Sequence, residues 1–306
     1  MSSPTTQLID ETLPLEAAGV HATGGAVSAY LELTKPRITF LVVVTAAAGF
    51  CLGSKAGVNF THLLYLSAAI ALLSSGIGTL NQYIERDLDR LMFRTRSRPL
   101  PAGRMSSVRA LVFGIVLSVA GLATLAVLIN WLTAVLGMVT LAAYLFGYTP
   151  LKTRSSLSTV VGAFPGAMPP LIGWAAATGK IGIEGVVLFA ILFLWQFPHF
   201  LSIAWIYRDD YARAGIKMLP VVEPDGRVTA QQIISYTLML LPVSMLPALV
   251  HLAGSVYMMG ALGLGIVFLY FGARAAVVRS KWQARRLLQA SVLYLPALFI
   301  LMVLNP

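Results

Sequence analysis

The stretch Asn81-Gln-Tyr-Ile-Glu85-Arg-Asp87-Leu-Asp89 follows a long apolar segment and leads into Arg94-Thr-Arg96-Ser-Arg98-Pro-Leu-Pro-Ala-Gly103. Continued as a helix, it places Asn81, Glu85 and Asp89 on one face, four residues apart, with Asp87 turned away. Carboxylates stacked at this spacing repel one another and tolerate each other best around a cation. A set of oxygen donors from Asn, Glu and Asp suits Mg²⁺, which keeps several waters and shares its shell with phosphate. An asparagine at membrane depth is unfavourable unless it is used. Asn81, Glu85 and Asp89 are therefore expected to form a metal site, and Asp87 to pair with Arg86 and Arg90 at a solvated helix end. Pro99, Pro101 and Gly103 make the following segment a loop. Its arginines suit anchoring at a membrane face. Beside a metal, Arg94 and Arg98 are also expected to fork onto a diphosphate, leaving Arg96, Arg104 and Arg109 as anchors.

A second acidic group lies in 195-WQFPHFLSIAWIYRDDYARAGIKMLP-220. On one continuous helix His199 and Asp210 stand close to three turns apart and share a face. Asp209, Arg213 and Lys217 recur at four, the spacing of a salt-bridge ladder. Lys217 comes soon after Gly215, however, which predicts a loop from which it can reach an anion. A lone histidine is usually a hydrogen-bonded structural residue. His199, flanked by Trp195, Phe197 and Phe200, sits beside the candidate chemistry, and neutral imidazole is a haem ligand. Further positive charge comes from Lys152 and Arg154 in 148-YTPLKTR-154. The small-residue and proline-rich stretch 162–179 predicts close helix packing at Gly162 and Gly166. It also predicts a broken helix with room for a bulky ligand.

These residues need a scaffold, and the composition names its class. Of 306 residues, 58% are hydrophobic and 11% charged, with a mean hydropathy of +0.80. That reads as an all-α polytopic membrane protein. Apolar runs near 38–54, 63–82, 108–128, 131–149, 157–178, 183–204, 232–251, 257–274 and 287–304 predict nine transmembrane helices in a bundle. They are continuously apolar, without the alternation of membrane strands. Residues 1–28 are expected to be a disordered cytoplasmic tail, polar and acidic and without the basic start of a signal peptide. Residues 29–306 are expected to be a single transmembrane domain. Cys51, the single cysteine, reads as a small buried hydrophobe. With the N-terminus in the cytoplasm, every lysine and arginine except Lys55 and Lys180 falls on the cytoplasmic side. The C-terminus is then periplasmic. This asymmetry accounts for most of the net charge of +10 without any nucleic acid.

The run from Asn81 to Gly103 resembles the first signature of the UbiA superfamily of intramembrane prenyltransferases. Together with Tyr148-Thr-Pro-Leu-Lys152, Pro198-His199-Phe200 and Tyr207-Arg-Asp-Asp-Tyr-Ala-Arg-Ala-Gly-Ile216, it resembles the branch that farnesylates protohaem. The likeness spans roughly residues 30 to 304. It implies a central cavity opening at the cytoplasmic side, in a bacterial inner-membrane enzyme. There farnesyl diphosphate would be ionised with Mg²⁺ and its farnesyl group passed to the C2 vinyl of protohaem IX, water adding to give haem O. It implies that Asn81, Glu85, Asp89, Asp209 and Asp210 are catalytic, and that Asn81, Glu85, Asp89 and Asp210 hold the metal. Arg94, Arg98, Lys152 and Lys217 would bind diphosphate, and His199 would contact haem. The partners implied are membrane lipid and a haem A synthase or terminal oxidase that receives the product. Two features depart from the wider superfamily: Glu85 where many relatives carry aspartate, and Asp209 and Asp210 adjacent rather than four apart. A prenyltransferase for an aromatic quinone precursor and, in a different class, a polytopic transporter are the competing readings.

Overall fold

The structure, a computed structural model, describes residues 25–305. All regular elements among them are helices: α1 (Ala26–Leu33), α2 (Pro36–Gly53), α3 (Phe60–Leu91), α4 (Ser107–Thr124), α5 (Trp131–Ala142), α6 (Thr149–Leu151), α7 (Ser158–Thr178), α8 (Gly182–Ile206), α9 (Arg208–Arg213), α10 (Leu219–Val222), α11 (Arg227–Val243), α12 (Leu246–Leu249), α13 (Ser255–Val278) and α14 (Lys281–Leu304). Two π-helical turns, Leu125–Ile129 and Ala143–Tyr148, continue α4 and join α5 to α6. Counting such continuous runs once, nine helices among the described residues are long and apolar enough to cross a membrane. They match the apolar runs of the sequence. Most of the expected tail, residues 1–24, lies outside the described residues, and its last part is helical because α1 begins at Ala26.

Local sequence explains several helix starts. The side chains of Asn59, Ser106, Asn130 and Ser280 accept from backbone amides three residues on, opening α3, α4, α5 and α14. Pro36 opens α2 at a position where its missing N–H is no loss. Helix α3 has 32 residues, roughly 48 Å at 1.5 Å per residue, against a hydrocarbon core of roughly 30 Å. The surplus carries Glu85 and Asp89 beyond the apolar part of the same rigid rod.

Apolar side chains form two large cores. One joins α2, α3, α5 and α7 through Phe50, Leu66, Leu136 and Ile172. The other joins α8, α11, α13 and α14 through Leu188, Leu240, Phe268 and Leu298. Helices α7 and α8 pack against each other between them, and α14 reaches back to α2. Two seams close backbone to backbone. A Cβ on Gly49 would collide with the Pro170 carbonyl, and one on Gly173 with the Ala46 carbonyl, so α2 and α7 touch without side chains between them. Between α3 and α4, a Cβ on Gly121 would meet the Leu73 amide and the Ala69 carbonyl, whereas one on Gly76 would first meet the Ser118 hydroxyl.

The close contact generates a prediction. Gly173→Ala should destabilise the protein by about 2 kcal/mol or more, read as a lower melting temperature in detergent. Gly263→Ala, where no atom lies within 4 Å of the new carbon, should not.

Candidate active site

The surplus turns of α3 carry three buried oxygen-bearing side chains on one face: Asn81, Glu85 and Asp89, exposed by 2, 6 and 1%. Each meets a different cation from a different segment. Lys35, at the entry to α2, donates through Nζ to Asn81 Oδ1 at 2.9 Å. Lys152, just past α6, places Nζ 2.5 Å from Glu85 Oε1. Arg98, in the loop after α3, donates through Nη1 to Asp89 Oδ2 at 2.7 Å. Asp87 points outward to Arg86 and Arg90, at 3.7 and 3.6 Å. The fourfold periodicity thus sorts the acids as the sequence suggested.

Each cation is held in place. Lys35 adopts a left-handed backbone at φ 49°, a conformation that a long side chain rarely takes and that marks a constrained position. Burial, then repulsion from Arg98, pulls its pKa down to about 7, with Lys152 adding to the effect and Glu85 and Asp89 opposing it. Lys152 lies over the Tyr148 ring, 4.4 Å from its centroid. The Tyr148 ring in turn fills the space left by Gly162, so that glycine is a packing residue. At the end of the π turn that carries Tyr144 and Tyr148, the Tyr144 carbonyl accepts both the Thr149 amide and, at 2.9 Å, Thr149 Oγ1. Thr149 Oγ1 accepts from Asn81 Nδ2 at 3.3 Å. The loop after α3 is pinned by Thr95 Oγ1 donating to the Asp89 carbonyl at 2.9 Å. Arg104 anchors it further, donating to Glu32 at 3.1 Å and to the Ser97 carbonyl at 2.8 Å.

The second acidic segment meets this loop through one aspartate. Asp210 accepts from the amides of Phe93 and Arg94, both at 3.3 Å, and from Arg213 Nη1 at 2.6 Å. Burial works against its charge, but Arg213 and those amides outweigh burial and hold its pKa below the usual range. Arg94 donates to Tyr211 at 3.1 Å and lies over the Tyr207 ring, 4.8 Å from its centroid. Asp209 faces solvent instead and pairs with Lys281 at 2.8 Å, the contact that chiefly lowers its pKa. Lys217 is exposed in the loop between α9 and α10, and its amide donates to the Lys152 carbonyl at 2.8 Å. That bond ties the two loops together.

Two expectations of helix geometry fail. The stretch 162–179 is not a broken helix, because α7 runs from Ser158 to Thr178 with Pro165, Pro169 and Pro170 inside it. His199 and Asp210 do not share a face of one helix, because α8 ends at Ile206 and Tyr207 breaks the path at φ −107°, ψ 21°. The new helix, α9, turns Asp210 onto the amides of the neighbouring loop, where it gains partners that a straight helix would not supply. His199 lies within α8, its Nδ1 2.8 Å from Ser291 Oγ and its ring stacked on Trp195 with centroids 4.6 Å apart. Sequence reasoning missed Lys35, which reads as ordinary flanking charge, and Thr149. Pro36 directly after Lys35 was the available signal, since it fixes where α2 begins.

Among the described residues no three of His, Cys, Asp and Glu converge as a ready metal cluster. The donors on the α3 face are two carboxylates and an amide. Asp89 Oδ1 is buried without a hydrogen-bond partner, and Glu85 Oε1 has its ion pair but no hydrogen bond. Oxygen-only donors with unspent capacity fit a hard cation that completes its shell from phosphate and water.

Known proteins resemble the chain in sequence and in fold. The model of the UbiA prenyltransferase family matches residues 42–302. A protoheme IX farnesyltransferase of Solibacter usitatus is 52% identical, covering 90% of this chain and 98% of that protein. One of Koribacter versatilis is 48% identical over 90% of this chain and 92% of its own. Among solved structures, a digeranylgeranylglyceryl phosphate synthase superposes with a TM-score of 0.77 at 17% identity, covering 91% of this chain and 98% of that one. A UbiA homologue of Archaeoglobus fulgidus bound to GPP and Mg²⁺ superposes with a TM-score of 0.66 at 18% identity, covering 90% and 99%.

Removing one partner of a buried ion pair leaves an uncompensated charge. Lys152→Met should therefore destabilise the protein by about 3 kcal/mol, and adding Glu85→Gln should restore much of the loss. Melting temperatures of the single and double variants measure both.

Proposed function

The chain belongs to the UbiA prenyltransferase family, and we propose that it transfers the farnesyl group of farnesyl diphosphate to the C2 vinyl of protohaem IX, giving haem O and diphosphate. The observation that carries the transferase chemistry is the buried Asn81–Glu85–Asp89 face with a separate cation on each member. Relatives 52% and 48% identical, which bear the name protoheme IX farnesyltransferase, support the choice of acceptor and donor.

Asn81, Glu85 and Asp89, joined by Asp210, would hold Mg²⁺, the metal bound with GPP in the Archaeoglobus fulgidus homologue. When bound it neutralises charge growing on the leaving diphosphate. Arg94, Arg98, Lys152 and Lys217 hold the diphosphate oxygens, and Lys35 joins them. Lys35, Arg98 and Lys152 all meet the α3 face. Substrate gives them a second, more highly charged partner at the same place, so little reorganisation is needed. Asp209, on Lys281 and solvent, acts at most from the rim.

The reaction then balances simply. The allylic C1–O bond breaks with its electron pair leaving on the diphosphate. The terminal vinyl carbon of protohaem attacks C1. The positive charge passes to the inner vinyl carbon, where water adds and loses a proton. This order of steps requires an apolar cavity in the helix bundle that keeps water from the allylic cation until the new C–C bond has formed. His199, held between Trp195 and Ser291, contacts the haem. The enzyme sits in the bacterial inner membrane with its N-terminus cytoplasmic and its C-terminus periplasmic, the orientation its lysines and arginines favour. Haem O passes from it to a haem A synthase or a terminal oxidase.

Glu85→Gln and Asp89→Asn should each remove nearly all haem O from cells that depend on this protein, whereas Asp87→Asn should leave it near normal. Mass spectrometry of the haem pool decides, through the mass gain of farnesyl plus water. Normal haem O from Glu85→Gln and Asp89→Asn would refute the role of the α3 face.

A further inference from the structure

We propose that Ser291 is a positioning residue for His199, fixing the imidazole tautomer whose Nε2 lone pair is offered to the iron of protohaem. The inference rests on the reading of His199 as the haem contact and adds to it a mechanism and a second residue. The two side chains come from α8 and α14, which pack together, and Ser291 is fully buried.

The tautomer follows from counting protons. Ser291 Oγ lies 2.6 Å from the Leu288 carbonyl, which can only accept, so the single hydroxyl proton is committed there. Toward His199, 2.8 Å away, Ser291 can then only accept. Nδ1 must therefore carry the proton. A neutral imidazole has one N–H, so Nε2 keeps its lone pair and faces away from Ser291. Trp195 reinforces the arrangement from both ends. Its ring stacks on the imidazole at an interplanar angle of 24°, and its Nε1 donates to the Ser291 carbonyl at 2.8 Å. Ring plane, tilt and tautomer of His199 are all referred to one residue of α14.

An acceptor on the far nitrogen does for a histidine ligand two things at once. It orients the ring and makes the ligating nitrogen more basic, and its removal typically weakens metal binding about 10- to 100-fold. A haem that must present one vinyl group to a fixed farnesyl carbon gains from such a hold, because the imidazole direction sets the position of the porphyrin above it.

The test is a titration of ferric protohaem into the full chain in detergent, followed by visible absorption, with the ferrous adducts examined by resonance Raman spectroscopy. The native protein and Ser291→Thr, which keeps the hydroxyl, should show the same imidazole-bound spectrum. Ser291→Ala should raise the dissociation constant about 10-fold or more and lower the iron–imidazole stretching frequency. That frequency is read only on molecules that bind haem, so partial loss of folded protein does not move it. If Ser291→Ala binds haem as the native protein does, with an unchanged stretch, while His199→Ala loses the imidazole signature, the role of Ser291 is overturned and His199 stands. If His199→Ala keeps the native spectrum, both fall.

Discussion

Everything at the active face depends on buried charge that is neutralised from outside its own helix. Two carboxylates and an amide on consecutive turns of α3 would repel or go unsatisfied if left alone. The fold brings Lys35, Lys152 and Arg98 to them from three other segments. This requires α3 to run straight past the apolar layer, α2 to begin at Pro36, the π turn to end just before Lys152, and the loop after α3 to fold back on Asp89. The arrangement is stable as a set and unstable in parts.

Much of this could be read from the chain alone. The nine apolar runs fix the bundle because a bilayer demands continuous apolar helices of a certain length. The period of an α-helix separates Asn81, Glu85 and Asp89 from Asp87 without any knowledge of neighbours. What local periodicity cannot supply is contact between distant segments. Lys35 meets Asn81 across 46 positions of sequence, and His199 meets Ser291 across 92. Neither pairing leaves a trace in spacing. The break at Tyr207 was hidden for a related reason: its cause lies in the amides of Phe93 and Arg94, which reward Asp210 for leaving the axis of α8. For the same reason sequence could not separate Asp209 from Asp210, adjacent residues whose surroundings differ completely.

The family resemblance and the residue-level reading support each other at different points. Likeness to proteins of known structure supplies the fold, since those neighbours share under a quarter of their residues with this chain. The chemistry follows from side chains: unspent carboxylate oxygens, cations poised beside them, and an imidazole with one nitrogen committed. Where this chain departs from the broader superfamily pattern, the structure gives the departure a physical form. Glu85 meets a lysine that comes from beyond α6, and the adjacent aspartates divide their partners between an inner loop and the start of α14.

The glycine contacts restrict how a lipid-borne substrate could reach the interior. Where α2 meets α7 the polypeptide backbones lie against each other, and the same holds between α3 and α4. At Gly49, Gly173 and Gly121 such contact leaves no width for an isoprenoid tail. At those levels a tail arriving from the bilayer finds no gap, and a doorway has to open where side chains rather than main chain fill the space between helices.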